Sequence, residues 1–103
     1  MKTFLKLALL TSGAVSAGTV ASSVSDGEAL AWKYHCMTCH GARGKSSSSR
    51  YPNLAGQNAA YLESRLKYFR AGEEPANQMN GQAAPLSDEE IRALAEHYSR
   101  MSR

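Results

Sequence analysis

The stretch Cys36-Met37-Thr38-Cys39-His40 decides how the rest of this chain folds. Its C-x-x-C-H spacing is the pattern through which a haem is attached covalently to a polypeptide. Each thiol adds across one porphyrin vinyl group, and two intervening residues let the chain turn so that both sulfurs reach one porphyrin edge. The adjacent histidine then lies under the iron as the proximal ligand. The stretch therefore predicts one covalent haem c, bound through Cys36 and Cys39 with His40 on its iron.

Three other uses of paired cysteines fit the sequence less well. A thioredoxin-like redox pair needs a βαβ pattern, and the chain shows no strand pattern. A zinc site needs further ligands, but the sequence has no second cysteine pair and no H-x3-5-H element after the first pair. A disulfide across two residues is strained and leaves His40 without a role. Haem attachment is the interpretation that uses every residue of the motif.

Residues 1–21 are typical of an export signal. Lys2 and Lys6 precede a short apolar stretch, and small residues offer cleavage positions between Ala17 and Ala21. The apolar stretch is shorter than the roughly 20 residues that span a bilayer. A cytoplasmic amphipathic leader is the alternative, but haem is joined to thiols outside the cytoplasm. We therefore predict a signal peptide over 1–21, a monohaem domain over 22–103 and a periplasmic location.

The charge of the chain depends on whether this leader is counted. The full sequence has 12 Lys and Arg against 9 Asp and Glu, and its isoelectric point is about 9.0. Lys2 and Lys6 leave with the leader, so the predicted mature part carries a net charge of only +1. The basic isoelectric point therefore gives no argument for nucleic-acid or membrane binding.

The spacing of apolar residues is helical throughout the predicted domain. Ser25 and Glu28 form an S-x-x-E capping box, which predicts a first helix over about 26–35. Asn58 is suited to cap a second helix that runs to Ala71, and a glycine follows at position 72 as its stop signal. The haem supplies apolar volume that about 80 residues hardly provide alone.

A last helix opens with a second capping box at Ser87 and Glu90, and Leu86 and Ile91 are placed as a hydrophobic staple. The apolar stripes at helical spacing predict the buried faces of the second and last helices. These stripes consist of Ala59, Leu62, Leu66 and Phe69 in the second helix and of Ile91, Leu94, Ala95, Tyr98 and Met101 in the last. The pattern predicts a small all-α domain.

A low-spin electron carrier needs a second axial ligand on its iron. Met37 lies inside the attachment motif and His35 directly precedes it, so neither reaches the opposite haem face. Met101 continues the apolar stripe of the last helix and is predicted to pack in the core. His97 lies off that stripe and is predicted to be a solvated surface histidine.

Met79 is the remaining candidate for the sixth ligand. We predict that it lies in an irregular loop over residues 73–86, which can fold over the second haem face without breaking a helix. Its neighbours Asn77, Gln78 and Asn80 are polar, an unusual setting for methionine, which commonly fills cores. A simple packing role is the alternative to iron ligation.

These segments together resemble the class I c-type cytochromes. The resemblance rests on the attachment motif, on P-N-L-A-G-Q at 52–57, on the amphipathic second helix, on the Met79 segment and on S-D-E-E-I at 87–91. It is strongest to the small monohaem bacterial type, similar to cytochromes c4 and c553. Y-F-R-A-G at 68–72 is also similar to the cytochrome subunit of flavocytochrome c sulfide dehydrogenase. The resemblance covers about residues 26–101.

The resemblance implies a fold of three main helices wrapped around one haem. It implies thioethers at Cys36 and Cys39, with His40 and Met79 as axial ligands of the iron. It also implies that the Pro52 carbonyl accepts a hydrogen bond from the far ring nitrogen of His40, which would orient the imidazole. An ordinary loop proline is the alternative for Pro52.

Two features depart from the family. Members of the c4 type commonly carry two haem domains, whereas this sequence has one attachment motif. Gly27 and Trp32 are five residues apart in the first helix, whereas the helix-crossing glycine and aromatic residue of the family are usually four apart. We nevertheless predict that Trp32 is buried against the haem or a neighbouring helix.

A haem with both axial positions filled by protein favours electron transfer over catalysis at the iron. We therefore predict a periplasmic one-electron carrier that is not an enzyme and that exchanges electrons with redox protein partners, without nucleic acid or a membrane span in the mature domain. One alternative is the haem-bearing subunit of a flavoprotein sulfide dehydrogenase. The other is a haem ligand sensor or peroxidase in which Met79 can be displaced.

Several basic residues surround the predicted haem edge and suggest a docking face for an acidic partner. The alternative is a solvated surface of mixed charge, because acidic residues lie nearby in the sequence. The basic residues concerned are Arg43, Lys45, Arg50, Arg65, Lys67 and Arg70.

Overall fold

The computed structural model of the chain describes residues 22–103, and the predicted signal peptide over 1–21 lies outside the described residues. The described residues form helices joined by loops and contain no strand, so the all-α prediction is confirmed for them. The helices are α1 (Ser22–Lys33), α2 (Cys36–His40), α3 (Ala59–Arg70), α4 (Gln78–Ala83) and α5 (Asp88–Ser99).

Helix α1 begins earlier than the sequence predicts. It starts at Ser22, so Ser25 lies inside the helix and the predicted cap at Ser25 is wrong. No glycine or proline occurs before Gly27 in this segment to stop the helix from extending. At its other end α1 stops where His35 adopts a left-handed backbone, with φ 59°. This residue turns the chain so that the attachment motif forms a separate short helix, α2.

The predicted ends of the second and last helices are confirmed. The Asn58 side chain caps α3 by accepting a hydrogen bond from the Tyr61 backbone N–H at 3.0 Å. Gly72 ends α3 with φ 73°, a left-handed conformation that suits glycine. Ser87 and Glu90 form the complete capping box at the start of α5, with each side chain bonded to the other residue's backbone N–H.

Helix α5 is the centre of the packing, because it contacts both α1 and α3. It crosses α1 closely at Gly27, where an added Cβ would lie 2.5 Å from the His97 Cβ and 2.7 Å from the Ala93 carbonyl oxygen. The Tyr34 hydroxyl, just after α1, donates to the Glu90 carboxylate of α5 at 3.2 Å. The buried core consists of Ala31, Leu62, Ala83, Leu86, Ile91, Leu94, Ala95 and Tyr98.

Two predictions about side-chain exposure are wrong. Trp32 is 62% exposed, whereas the sequence analysis predicts that it is buried. Gly27 and Ala31, four residues apart, face α5, and Trp32 is rotated by about 100° from Ala31 around the helix. His97 is half-buried instead of solvated, because the close crossing at Gly27 brings its Cβ against α1.

No helix among residues 22–103 combines the length and apolar character that a bilayer crossing requires.

We expect Gly27→Ala to destabilise the fold by roughly 1–3 kcal/mol, the usual cost of overpacking. One of the atoms that the new Cβ meets belongs to the backbone of α5, so a side-chain rotation cannot relieve the contact. Gly81→Ala in α4 is the matched control, because no atom lies within 4 Å of its added Cβ. Denaturant unfolding of both variants tests the crossing, and equal stabilities would contradict it.

We expect acidification to destabilise the α1–α5 crossing through His97. Burial lowers the pKa of the His97 imidazole, and the nearby Glu28 carboxylate opposes this only in part. At acidic pH the unfolded chain therefore binds more protons than the folded chain. The contribution of neutral His97 to the free energy of unfolding is complete above about pH 6.5, and it is lost as the pH falls through the lowered pKa of the folded state. The free energy of unfolding, measured between about pH 7 and pH 5, checks this.

The matched pair of variants is His97→Gln and His35→Asn. We expect His97→Gln to flatten the dependence of stability on pH in this range. His35 is exposed, and asparagine tolerates its left-handed backbone, so His35→Asn is expected to keep the wild-type slope. The same slope in both variants would show that His97 is not the responsible group.

Candidate functional site

A cavity of about 750 Å³ opens among the helices. This volume lies within the range of roughly 300–1,000 Å³ that is usual for cofactor and ligand sites. The structure brings all five residues that the sequence analysis selects to its walls, namely Cys36, Cys39, His40, Pro52 and Met79. Residues that are 43 positions apart in the sequence therefore share one cavity.

His40 is held in one orientation by the loop that follows α2. Its side chain is 6% exposed, and its Nδ1 lies 2.9 Å from the carbonyl oxygen of Pro52. A carbonyl oxygen only accepts, so the hydrogen bond requires the proton to be on Nδ1. The lone pair is then on Nε2, the nitrogen that can bind a metal. The hydrogen bond to the Pro52 carbonyl also fixes the orientation of the imidazole ring and makes the imidazole a stronger metal ligand.

The two cysteines of the attachment motif are free thiols, and both are partly buried. Burial raises the pKa of the Cys36 thiol, which disfavours the thiolate that redox exchange or zinc binding needs. Within residues 22–103 no group of three or more His, Cys, Asp or Glu side chains is placed to hold a metal ion. A cysteine sulfur in a thioether bond is uncharged, so it needs neither a thiolate nor further metal-binding side chains.

Tyr98 of α5 adds an unsatisfied polar group to the cavity wall. Its side chain is 3% exposed, and among the described residues its hydroxyl has no partner with good hydrogen-bond geometry, only the nearby Cys36 sulfur, which is a weak partner. Burial is the main cause that raises the pKa of this phenol, and the neighbouring Cys36 adds to it. A buried hydroxyl without a partner costs about 1–3 kcal/mol. This wall is therefore incomplete as protein alone, which fits a cavity that is built around a bound group.

The segment that carries Met79 differs from the predicted irregular loop. Residues Gln78–Ala83 form the short helix α4, so Met79 is helical and the prediction of a loop over 73–86 is wrong in this part. The helix forms because the Asn77 side chain accepts a hydrogen bond from the Met79 backbone N–H at 2.8 Å. Ala76 precedes this cap with φ 54°, a left-handed conformation that is strained for alanine.

Polar contacts hold the Met79 segment against the rest of the domain. The Tyr68 hydroxyl donates to the Glu74 carboxylate at 2.9 Å, and the Asn80 side-chain amide donates to the Glu74 carbonyl at 2.6 Å. The Gln82 side chain donates to the Tyr34 carbonyl at 3.3 Å. These bonds link α4 to α3 and to the end of α1. Met79 therefore faces the cavity from a segment that is attached at both of its ends.

Two arginines, Arg50 and Arg65, line the cavity as well. Both residues are predicted from the sequence to lie on a docking surface, and their position in the cavity wall is not predicted. A signal was present, because Arg65 lies on the same stripe of α3 as Leu62, Leu66 and Phe69. A charged residue within an apolar stripe indicates a charge that faces the interior.

The other basic residues of α3 are paired with acids. Lys67 lies 3.0 Å from the Glu63 carboxylate, and Arg70 lies 2.7 Å from Asp88. The Arg70 guanidinium is also the main cause of the lowered pKa of the Asp88 carboxyl. These pairs reduce the positive charge of the surface near α3. They agree with the alternative interpretation of these basic residues, a solvated surface of mixed charge.

The residues present fit a covalently attached haem. The cavity has two thiols for thioether bonds and an imidazole whose Nε2 lone pair is available. It also has a methionine thioether and a set of apolar walls. The apolar side chains that line it include Leu54, Leu62, Leu66, Phe69, Leu86 and Leu94.

Comparison with known protein families gives a match over most of the chain. The family model described as cytochrome c matches residues 24–100. Cytochrome c-554(548) from Halomonas halodenitrificans is 43% identical over 67 residues, which cover 62% of this chain and 81% of that protein. The cytochrome subunit of sulfide dehydrogenase from Chlorobaculum tepidum is 34% identical over 68 residues, which cover 66% of this chain and 61% of that subunit.

Comparison with solved structures gives the same result. The crystal structure of reduced recombinant cytochrome c4 from Pseudomonas stutzeri matches with a TM-score of 0.70 at 29% identity. The match covers 79% of this chain and 49% of that chain. This chain therefore spans about half the length of the cytochrome c4 chain.

We expect Asn77→Ala to loosen the Met79 segment without affecting α3. Loss of a side-chain cap costs about 1 kcal/mol, which corresponds to roughly fivefold faster local amide exchange. Hydrogen exchange of the purified protein should therefore be faster over 77–83 and unchanged over 59–70. Asn58→Ala removes the equivalent cap of α3 and should give the reverse pattern. Equal exchange changes in both segments for either variant would contradict a local role of Asn77.

Proposed function

The chain belongs to the cytochrome c family, and we propose that it is a periplasmic one-electron carrier whose haem iron is bound by His40 and Met79. Members of this family carry covalently bound haem c and transfer electrons. The observation that carries the proposal is that His40 and Met79 face the same cavity as the two cysteines. The periplasmic location rests on the export signal predicted over residues 1–21.

The bound haem supplies the one-electron chemistry of its iron. The protein's part begins with Cys36 and Cys39, whose thioethers anchor the group to α2. The Nε2 atom of His40 would bind the haem iron, because the bond from Nδ1 to Pro52 keeps the proton on the other nitrogen. The sulfur of Met79 would bind the iron as well and would favour the ferrous state relative to a second histidine.

The held position of Met79 supports electron transfer over catalysis. An enzyme that acts at the iron needs an open or easily opened coordination position. Here the Met79 segment is attached through Glu74 to α3 and through Gln82 to the chain after α1. Movement of the Met79 segment away from the cavity must therefore break several hydrogen bonds together. This arrangement does not favour the ligand-sensor and peroxidase alternatives.

The partners of this carrier are redox proteins. Among residues 22–103 no Asp or Glu side chain lines the cavity, so the face that contains it is neutral to basic. Arg43, Lys45 and Arg50 are exposed in the loop between α2 and α3. Docking in a transient complex uses this face, with a partner surface that is neutral or weakly acidic.

A second candidate function is that of the haem subunit in a larger dehydrogenase. One relative is named as the cytochrome subunit of sulfide dehydrogenase, and this chain matches 61% of its length. In that case the carrier remains bound to a catalytic subunit. Purification of the protein from a membrane-free extract of its native cells distinguishes the two functions. Co-elution with a flavin-containing protein supports the function of a dehydrogenase subunit. Elution of the chain alone supports the free carrier.

The principal test of the proposed function is the substitution Met79→Ala in the exported, haem-loaded protein. We expect the ferrous wild-type protein to bind carbon monoxide slowly or not at all, because the sixth position is filled. We expect the ferrous Met79→Ala protein to bind it rapidly and the ferric variant to lose the charge-transfer absorption of iron–thioether ligation. Stopped-flow mixing and absorbance spectroscopy measure both effects.

Met101→Ala is the matched control, because Met101 packs against the core and does not line the cavity. We expect this variant to keep the wild-type spectrum and its slow carbon monoxide binding. Rapid binding by the wild-type protein, or an unchanged spectrum in the Met79 variant, would contradict Met79 ligation. A colourless wild-type protein would contradict the whole proposal.

A further inference from the structure

Tyr68 and Glu74 do not line the cavity, yet the hydrogen bond between them ties the Met79 segment to α3. We propose that these two residues form a latch, and that the latch sets how often Met79 moves away from the iron. The inference rests on the haem function proposed above. It goes further because it assigns control of the sixth position to two positioning residues outside the cavity wall.

The latch is formed by the turn that ends α3. Gly72 adopts a left-handed φ of 73° and reverses the direction of the chain. The backbone N–H of Glu73 then donates to the Tyr68 carbonyl at 3.4 Å, so the chain returns along the end of the helix. This path brings the Glu74 carboxylate to 2.9 Å from the Tyr68 hydroxyl. The contact therefore joins residues that are only six positions apart.

Glu74 connects this contact to the residue that follows Met79. Its carboxylate accepts from Tyr68, and its backbone carbonyl accepts from the Asn80 side-chain amide at 2.6 Å. The Oδ1 atom of Asn80 is buried and has no partner among the described residues, so this amide depends on Glu74 alone. A movement of Glu74 is therefore transmitted directly to the residue beside Met79.

The ring of Tyr68 is held in place by its neighbours on α3. The guanidinium carbon of Arg65 lies 4.5 Å from the centre of the ring. The Phe69 ring meets it edge to face, with the two centres 5.8 Å apart. These contacts restrict the rotation of Tyr68, so little side-chain freedom is lost when its hydroxyl binds Glu74.

The other attachments of the segment are weaker or move with it. The bond from Gln82 to the Tyr34 carbonyl is exposed and 3.3 Å long, so water competes for both groups. The cap at Asn77 lies within the segment and does not tie it to another helix. The two bonds of Glu74 are partly buried and shorter. The latch is therefore the attachment whose loss has the largest effect on the segment.

The backbone between Glu74 and Met79 is not relaxed in the latched state. Ala76 has a φ of 54°, a left-handed conformation that is unfavourable for a residue with a Cβ. Release of the segment allows this residue to return to a common conformation. The strain therefore favours release, and the latch opposes it.

The latch requires the Tyr68 phenol to keep its proton. The hydrogen bond to the Glu74 carboxylate is the main cause that raises the pKa of this phenol, the Glu73 carboxylate adds to it, and Arg65 opposes it. The latched segment therefore holds the proton more tightly than the released segment. The latch is complete below about pH 10 and is lost as the pH rises through the raised pKa of the folded state.

The test compares the exported, haem-loaded wild-type protein with Tyr68→Phe, which keeps the ring and removes only the hydroxyl. Carbon monoxide binds the ferrous iron only after Met79 has left, so stopped-flow mixing measures the release. We expect roughly fivefold faster binding in the variant at neutral pH, the usual effect of one lost hydrogen bond. The wild-type rate should rise above about pH 10 toward that of the variant, whose rate should be independent of pH in this range.

Hydrogen exchange gives a readout that does not depend on the iron. We expect exchange in Tyr68→Phe to be roughly fivefold faster over residues 73–83 and unchanged over residues 22–33. Equal acceleration in both ranges would show a general loss of stability and would overturn the latch.

Glu74→Ala removes the other end of the same bond and should match Tyr68→Phe. The double variant should be no faster than Glu74→Ala, because each single change already opens the latch. Glu73→Ala is the matched control, since this exposed carboxylate is adjacent in the chain but accepts no bond from Tyr68. We expect the control to keep the wild-type rate.

A carbon monoxide rate for Tyr68→Phe that equals the wild-type or control rate overturns the inference, and so do effects of the two single changes that multiply in the double variant. If Tyr68→Phe folds poorly, Glu74→Ala carries the same test without a change in α3. A wild-type protein that lacks the absorption of iron–thioether ligation contradicts the proposed function instead, so the two failures are distinguishable.

Discussion

The close approach of α1 and α5 at Gly27 is the contact on which the cavity depends. With no side chain at this position, the backbone of α1 lies against Ala93 and His97 of α5. The crossing places the end of α1, and therefore the attachment motif of α2, beside the same helix that supplies Leu94 and Tyr98 to the cavity wall. A wider separation of α1 and α5 would move the two cysteines of α2 away from the part of the cavity wall that Leu94 and Tyr98 form.

A small core makes the bound group part of the structure. Ile91 is the largest side chain that is fully buried, and the cluster around it contains only a few other large residues. Several apolar side chains, such as Leu66 and Phe69, are only partly buried because they face the cavity. The hydroxyl of Tyr98 also lacks a partner with good hydrogen-bond geometry among the described residues. The haem that this family carries would cover these groups, so cofactor binding and folding would share the same interactions.

The two residues proposed as ligands of the iron, His40 and Met79, are held by different means, which suits their different positions in the chain. His40 follows the cysteines directly in the chain, and one hydrogen bond to Pro52 is enough to orient its ring. Met79 is far away in sequence and needs a helix cap at Asn77 and bonds through Glu74 and Gln82 to stay near the cavity. Under the proposed ligation, the iron would keep the same ligands in both redox states only if both anchors persist, which would link the stability of the Met79 segment to electron transfer.

The sequence alone determined the haem motif, the helical class and the ends of two helices. These features depend on local chemistry: C-x-x-C-H is contiguous, and the Asn58 and Ser87 caps satisfy N–H groups within three residues. The resemblance to a family added the Pro52 contact, which periodicity could not indicate. The sequence pattern does not predict helix α4 or its cap at Asn77, because a helix of six residues has too little apolar periodicity to be recognised.

Only the tertiary structure decided which surface residues face the cavity and which side chains are buried. Trp32 is an aromatic residue that the sequence suggests is buried, yet it is exposed, because Gly27 and Ala31 determine which side of α1 meets α5. Arg65 shares the apolar stripe of α3, but only the packing shows that it lines the cavity while Lys67 and Arg70 pair with acids. The physical reason is that the rotation of a helix about its axis, and hence the surroundings of each side chain, is set by contacts between residues far apart in the chain.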